Sequence, residues 1–279
     1  MLQERMLRLV GWCLTTALGL GLQACAITHV LRVADAQRIP VSQLVAELQP
    51  TPLVFLGENH DDASHHAFQL DVIAGLHASG VPLAIGLEMF QLDSQPALDA
   101  WVAGRLSEAH FVRLYKSNWR YLSWGLYSDI FLFARDHHLP LLALNVPQAI
   151  IQQVARQGWA TLSQAQRRML PAGVTDPITP ANQALMAGMH PAHGARATTL
   201  TFMAQAQVLR NRVMAQALLR QRRAQPQTHL VVLTGGVHAS RQGGVPSELA
   251  TASCQVVLPP MPEFDPDHAG DTAADYLLD

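Results

Sequence analysis

The sequence predicts an α/β domain built on a mostly parallel sheet flanked by helices, with a smaller all-helical insertion. Leu53-Val54-Phe55-Leu56, Pro82 to Leu87 and His229 to Thr234 are apolar runs without polar alternation, the pattern of strands covered on both faces. Helical periodicity separates the first two, which makes their connection a right-handed crossover by default. Each run also ends in the same way, with glycine, acid or imidazole: Gly57-Glu58-Asn59-His60, Gly86-Leu87-Glu88 and Gly235-Gly236-Val237-His238. Open α/β sheets place ligands at the carboxyl ends of their strands, so these residues are expected at one edge.

In chain order, Arg5 and Arg8 precede an apolar stretch from Leu9 to Leu22, followed by Leu22-Gln23-Ala24-Cys25. This reads as a signal peptide over residues 1–24 that closes in a lipobox, with Cys25 acylated. The alternative is a retained signal anchor, for which the apolar part is short. With Cys13 removed and Cys25 acylated, Cys254 has no partner for an internal disulfide. Residues 25–39 are expected to form a tether from the lipid. A single domain follows over 40–262, opening with a short helix before the first run.

Asp61, Asp62 and Ser64 suit the start of a helix to about His77. Regular alternation stops after Glu88, and helical insertions are expected at about 91–139 and 159–223. Between them Leu141 to Asn145 returns to the sheet, and Pro147 starts a helix from Gln148 to Gln157. From Arg196 to Arg223 neither Gly nor Pro occurs and apolar residues recur at helical spacing. Cys254 to Leu258 makes a final strand, and 263–279 is an acidic tail expected to be loosely held.

Charge is near balance, with 19 basic and 21 acidic residues, which argues against nucleic acid as a partner. Gly235-Gly236 lacks the glycine spacing of a dinucleotide or P-loop site.

Glu58, His60, Glu88 and His238 form the first candidate site, since burying that many ionisable groups is costly unless they pair or bind something. Two imidazoles with carboxylates suit a divalent metal such as zinc, serve equally as metal-free acid and base, or form a hydrogen-bond network that fixes strand ends. Tyr115, Trp119, Tyr121, Trp124 and Tyr127 crowd a second stretch, interleaved with Arg113, Lys116 and Arg120. They read either as an aromatic core or as a flat apolar wall with cations at its rim, suited to a porphyrin with two propionates, whose ferric iron a tyrosinate can ligate. Met186, Met189, His190 and His193 offer sulfur and imidazole to haem or copper, or are unliganded loop residues. His65 and His66 are most simply solvated residues or local caps.

With these motifs in view, the chain resembles the ChaN-like haem-binding lipoproteins of the Tiki, TraB and erythromycin-esterase superfamily. The match runs through Gly57-Glu58-Asn59-His60, Glu88 in Gly86-Leu87-Glu88-Met89-Phe90, and Gly235-Gly236-Val237-His238 with Gly244-Val245-Pro246. It includes Trp124-Gly125-Leu126-Tyr127, Ala143-Leu144-Asn145-Val146-Pro147, and Ala206-Gln207 with Met214-Ala215. The resemblance implies an outer-membrane lipoprotein of the bacterial cell envelope that acts in haem or iron uptake. It also implies haem at a homodimer interface, with a tyrosine on iron and basic side chains on the propionates. Tyr127, in the matching W-x-x-Y stretch, is the expected ligand, with Tyr115 and Tyr121 in reserve. Lys116 and either His190 or His193 are the expected propionate contacts, with Arg113, Arg120, Trp119 and Trp124 as further pocket residues. The alternative is a metal-dependent hydrolase using Glu58, His60, Glu88 and His238. Arg210-Asn211 stands where the resemblance leads one to expect Trp-Asp.

Overall fold

The computed structural model describes residues 26–175, 178, 182, 197–249, 253–261 and 273–279. Its strands are β1 (His29–Arg32), β2 (Gln37–Pro40), β3 (Leu53–Glu58), β4 (Leu83–Gln91), β5 (Leu141–Asn145), β6 (His229–Gly235), β7 (Gln255–Leu258) and β8 (Tyr276–Leu278). They form one sheet in the order β2-β1-β8-β7-β3-β6-β4-β5. The central β7, β3, β6, β4 and β5 run parallel, as unalternated apolar runs require. All six residues of β3 are buried.

Helices cover both faces. On one lie α1 (Val41–Leu48), α2 (Ala63–Ala78), α3 (Gln95–Val102), α4 (Glu108–Asn118) and α5 (Trp124–Asp136), which share a core with Val54, Leu56, Ile85, Leu87 and Leu233. The other face carries α6 (Gln148–Gln157), the short α7 (Gln164–Arg168), the 28-residue α8 (Ala197–Ala224) and α9 (Gly236–Ala239). There Met214, Ala215 and Leu218 of α8 meet Phe55, Ala84 and Val232. The helical segments expected as insertions therefore form the covering layers, α8 among them. Local sequence sets several boundaries: Asp62 accepts from the Ser64 amide at 2.9 Å to start α2, and Ser123 accepts from Gly125 to start α5. The Gln95 side chain donates to Leu141 O and accepts from Ala143 N, both at 2.8 Å, closing the exposed edge of β5.

Both chain ends depart from expectation. Instead of a free tether, residues 29–40 form the antiparallel pair β1 and β2. Instead of a loose acidic tail, Tyr276 to Leu278 enters the sheet between β1 and β7. Asp275 anchors it, accepting from the Val256 amide at 2.7 Å and pairing with Arg241 at 2.6 Å, while the Tyr276 hydroxyl donates to Glu47 at 2.8 Å. A three-residue strand after an acidic stretch has too little periodicity to announce itself. It exists because β1 and β7 leave a gap one strand wide. Among the described residues no helix is long and apolar enough to cross a membrane.

Candidate functional site

The four acid and imidazole residues converge at the carboxyl edge of β3, β6 and β4, but as two pairs on opposite faces of the sheet. Side chains alternate along a strand. Glu58 has the parity of Val54 and Leu56 and faces α2 and α5, whereas Glu88 has the parity of Ala84 and faces α8. Gly235 lies between them, in register with Glu58 and donating its amide to Glu88 Oε2 at 2.8 Å.

Glu58 is 2 % exposed and fully engaged. Its Oε1 lies 2.7 Å from His60 Nδ1 and accepts from the Tyr127 hydroxyl. Its Oε2 accepts from Gln69 Nε2 at 2.7 Å and has His66 Nδ1 at 3.5 Å. Burial alone would raise this carboxyl's pKa, but the two imidazoles override it and hold it far below the ordinary range. In return His60 and His66, which burial alone would lower, are both raised by Glu58. His65 and His66 are buried, correcting the expectation of solvated residues. His65 Nδ1 accepts from the Asn59 amide at 2.9 Å, and His66 Nε2 lies 3.1 Å from His60 O. Gln69 and His66 were missed in sequence, although they share the inward stripe of α2 with Ile73 and Leu76 at helical spacing.

The Glu88 pair has a different partner. Glu88 is 1 % exposed; its Oε1 bonds the Arg210 guanidinium and lies 3.7 Å from His238 Nε2. Burial would raise its pKa, yet His238, Arg210 and His60 bring it to about 2. His238 is lowered to about 3, by burial first and then by Arg210. It is therefore a neutral imidazole, with Nδ1 2.5 Å from Asn211 Oδ1 while Asn211 Nδ2 donates to Gly243 O at 2.7 Å. Arg210-Asn211 thus supplies a resident cation for Glu88 and a neutral acceptor for His238. Gly244 follows closely, where a Cβ would lie 2.2 Å from Ser240 O and 2.5 Å from His238 O.

A divalent metal does not fit this arrangement. The carboxylates face opposite sides of the sheet and each is already satisfied, one by neutral donors and imidazoles, the other by arginine. Among the described residues no three His, Cys, Asp or Glu side chains are grouped to hold an ion.

Beside His60 opens a cavity of about 550 Å³, lined by His60, Ser117, Asn118, Trp119, Arg120, Tyr121, Leu122, Gln148 and Gln152. The aromatic stretch divides here. Tyr115, Trp124 and Tyr127 belong to a ring-packed core with Phe90, Phe111 and Phe131, while Trp119 and Tyr121 wall the cavity. Tyr127 is 0 % exposed with its hydroxyl spent on Glu58, so the structure removes it as an iron ligand. Tyr115 is equally buried and donates to Ser123 O at 3.2 Å. Burial, reinforced by Glu58, pushes both phenols well above their usual pKa. Tyr121 is 84 % exposed and accepts from Arg120, whose guanidinium carbon lies 4.6 Å from the ring centre. Trp119 meets His60 edge-on at 5.1 Å, and its indole N–H is buried without a partner among the described residues. Arg113 and Lys116 are exposed on α4 but do not line the cavity, and Trp124 is packed in the core. Cys25, His190 and His193 lie outside the described residues.

The residues at the cavity fit haem. The cavity has the size of a cofactor site, two aromatic walls, an exposed phenol and an imidazole, a cation at the lip, and an orphaned indole N–H.

Fold and site together define an α/β protein with paired acid and imidazole groups behind an aromatic-walled cavity. The chain belongs to the family described as haem-binding uptake, Tiki superfamily, ChaN, whose model matches residues 44–249. Among solved structures, ChaN of Campylobacter jejuni, described with cofacial haem binding, is similar at 17 % identity and TM-score 0.70, over 90 % of this chain and 95 % of that one. A mutant erythromycin esterase, EreC, in its open conformation is similar at 14 % identity and TM-score 0.50, over 78 % of this chain and 72 % of that one. No curated protein matches the sequence.

Proposed function

We propose that this protein binds haem in the cavity beside His60 and serves haem or iron uptake. The observation that carries the reading is the exposed Tyr121 phenol on the aromatic wall of that cavity, in a chain of the haem-binding uptake family. Tyr121 takes the iron-ligand role that Tyr127 cannot fill. Haem brings iron chemistry and an extended ring; the chain provides a phenolate oxygen, the Trp119 face, and Arg120 for a propionate. The open side of the cavity suits a second copy, whose basic groups, with Lys116, Arg113, His190 or His193 as candidates, reach the propionates. Acylation at Cys25 tethers the pair to the outer membrane.

Titration of the folded mature chain with ferric haem tests this. A tyrosinate-type spectrum is expected that is lost or converted in Tyr121→Phe and kept in Tyr127→Phe, with light scattering reporting a dimer mass. Absence of haem binding, or a spectrum indifferent to Tyr121→Phe, overturns the assignment. The hydrolase alternative is not favoured, because Arg210 occupies the charge of Glu88 that a catalytic metal needs.

A further inference from the structure

Two stretches far apart in sequence line the cavity beside His60: residues 117–122, at and beyond the end of α4, and Gln148 with Gln152 at the start of α6. Gln91, the last residue of β4, ties both to the sheet. Its backbone N–H and its side-chain Nε2 donate to Asn118 Oδ1 at 3.0 and 3.2 Å, and its Oε1 accepts from the Gln148 amide at 2.8 Å. The same Asn118 oxygen accepts from the Ser94 hydroxyl at 3.2 Å, while Asn118 Nδ2 donates to Leu114 O at 3.0 Å. The pairing of β4 with β5 shifts register between Leu87 and Gln91, as at the bulges that re-aim a side chain near a strand end.

Asn118 ends α4, so its bonds hold the root of the segment that carries Trp119, Arg120 and Tyr121. Gln148 opens α6, whose first N–H groups lack partners within the helix and whose N-cap, Pro147, makes no side-chain cap; Gln91 supplies the missing acceptor. One side chain thereby fixes both walls. Tyr121 itself is exposed, and its hydroxyl accepts from the adjacent Arg120, a partner that moves with it. Packing therefore does not fix where the phenol stands, and the root of its segment must. A binding group works only when its supporting contacts hold it close to the productive geometry. We infer that Gln91 and Asn118 are positioning residues for haem, holding residues 117–122 and the start of α6 at a set separation and so placing the Tyr121 phenol for the iron. The inference rests on the haem reading above and adds to it the side chains that set the shape of the site.

The test titrates the mature full chain with ferric haem and follows absorption. Gln91→Met keeps the volume and the backbone bond to Asn118 but loses both side-chain bonds, and Asn118→Ala removes the shared acceptor. Each is expected to bind haem about tenfold more weakly, the loss of one or two hydrogen bonds of ordinary strength, with the tyrosinate-type band weakened at saturation. Asn118→Asp, which keeps an oxygen in that place, is expected to restore part of both. In a Tyr121→Phe background the effect of Gln91→Met on affinity is expected to shrink, because the phenol it places is gone. Folded Gln91→Met and Asn118→Ala that bind haem with the affinity and band of wild type overturn the positioning role and leave the haem reading intact. An affinity loss of equal size in the Tyr121→Phe background also overturns it, since the two residues then act on the fold at large. If wild type binds no haem, the haem reading falls and takes this inference with it. Circular dichroism confirms that each variant is folded, and if Asn118→Ala is not, Gln91→Met decides.

Discussion

The two acid and imidazole pairs look alike in sequence and behave in opposite ways. Glu58 receives neutral donors and imidazoles, so its charge is shared with His60 and His66, whose affinity for protons rises. Glu88 receives a full cation from Arg210, and His238, disfavoured as a cation first by its burial and then by Arg210, is left neutral with its pKa at about 3. The contrast shows that a buried carboxylate beside a histidine does not by itself make an imidazolium. The depth of the imidazole's burial decides first, and a cation that has already paired with the acid adds to it. The pair without arginine borders the cavity through His60, while Glu88 and His238 of the other pair are buried.

The largest test removes the cation. Arg210→Met leaves Glu88 buried and unpaired and is expected to cost about 3 kcal/mol in urea unfolding, with much of the loss recovered in the double variant that adds Glu88→Gln. A cost below about 0.5 kcal/mol, within the range of ordinary surface changes, would show that Arg210 does not carry this charge. Next in size is the tyrosine contrast. Tyr127→Phe removes a donor to a buried carboxylate, at about 1.5–2 kcal/mol of stability, and leaves haem binding intact. Tyr121→Phe costs under about 0.5 kcal/mol and alters the haem spectrum. Reversal of these two phenotypes would return the ligand role to Tyr127.

A separate test reads the slope of stability with pH. His238 titrates near 3 when folded and near 6.5 when unfolded, so the unfolded chain takes up its proton first and stability falls as pH drops below about 6.5. Glu88, at about 2 against an ordinary 4.5, adds its loss only below about 4.5. His60 runs the other way: its contribution is complete below about 6.5 and fades as pH rises through its raised folded value. Asn211→Asp should favour the imidazolium of His238 and flatten the slope between about pH 6.5 and 4.5. An unchanged slope in unfolding curves at those two values would mean that His238 is not its source.

Much of the fold was legible because short, fully apolar runs bounded by turn residues read as strands buried on both faces, and β3, β4, β5 and β6 fall where such runs lie. The site was legible in part. Glycine, acid and imidazole at the strand ends announced the carboxyl edge, and Glu58, His60, Glu88 and His238 do lie there. His66 and Gln69 escaped because a polar residue on an apolar helix stripe reads as noise until its partner is known. The aromatic stretch was read as one group, but Trp119 and Tyr121 face the cavity while Tyr115, Trp124 and Tyr127 complete the core.

Local chemistry alone therefore determined the central parallel strands, the crossover between the first two of them, the family motifs and the residue types gathered at one sheet edge. Only the folded chain decided which face each carboxylate takes, which tyrosine stays exposed at the cavity, and that residues 276–278 enter the sheet. The reason is that parity across a sheet depends on register between strands far apart in sequence, and the exposure of a ring depends on which neighbouring helix packs over it. Neither is encoded within the segment that carries the residue.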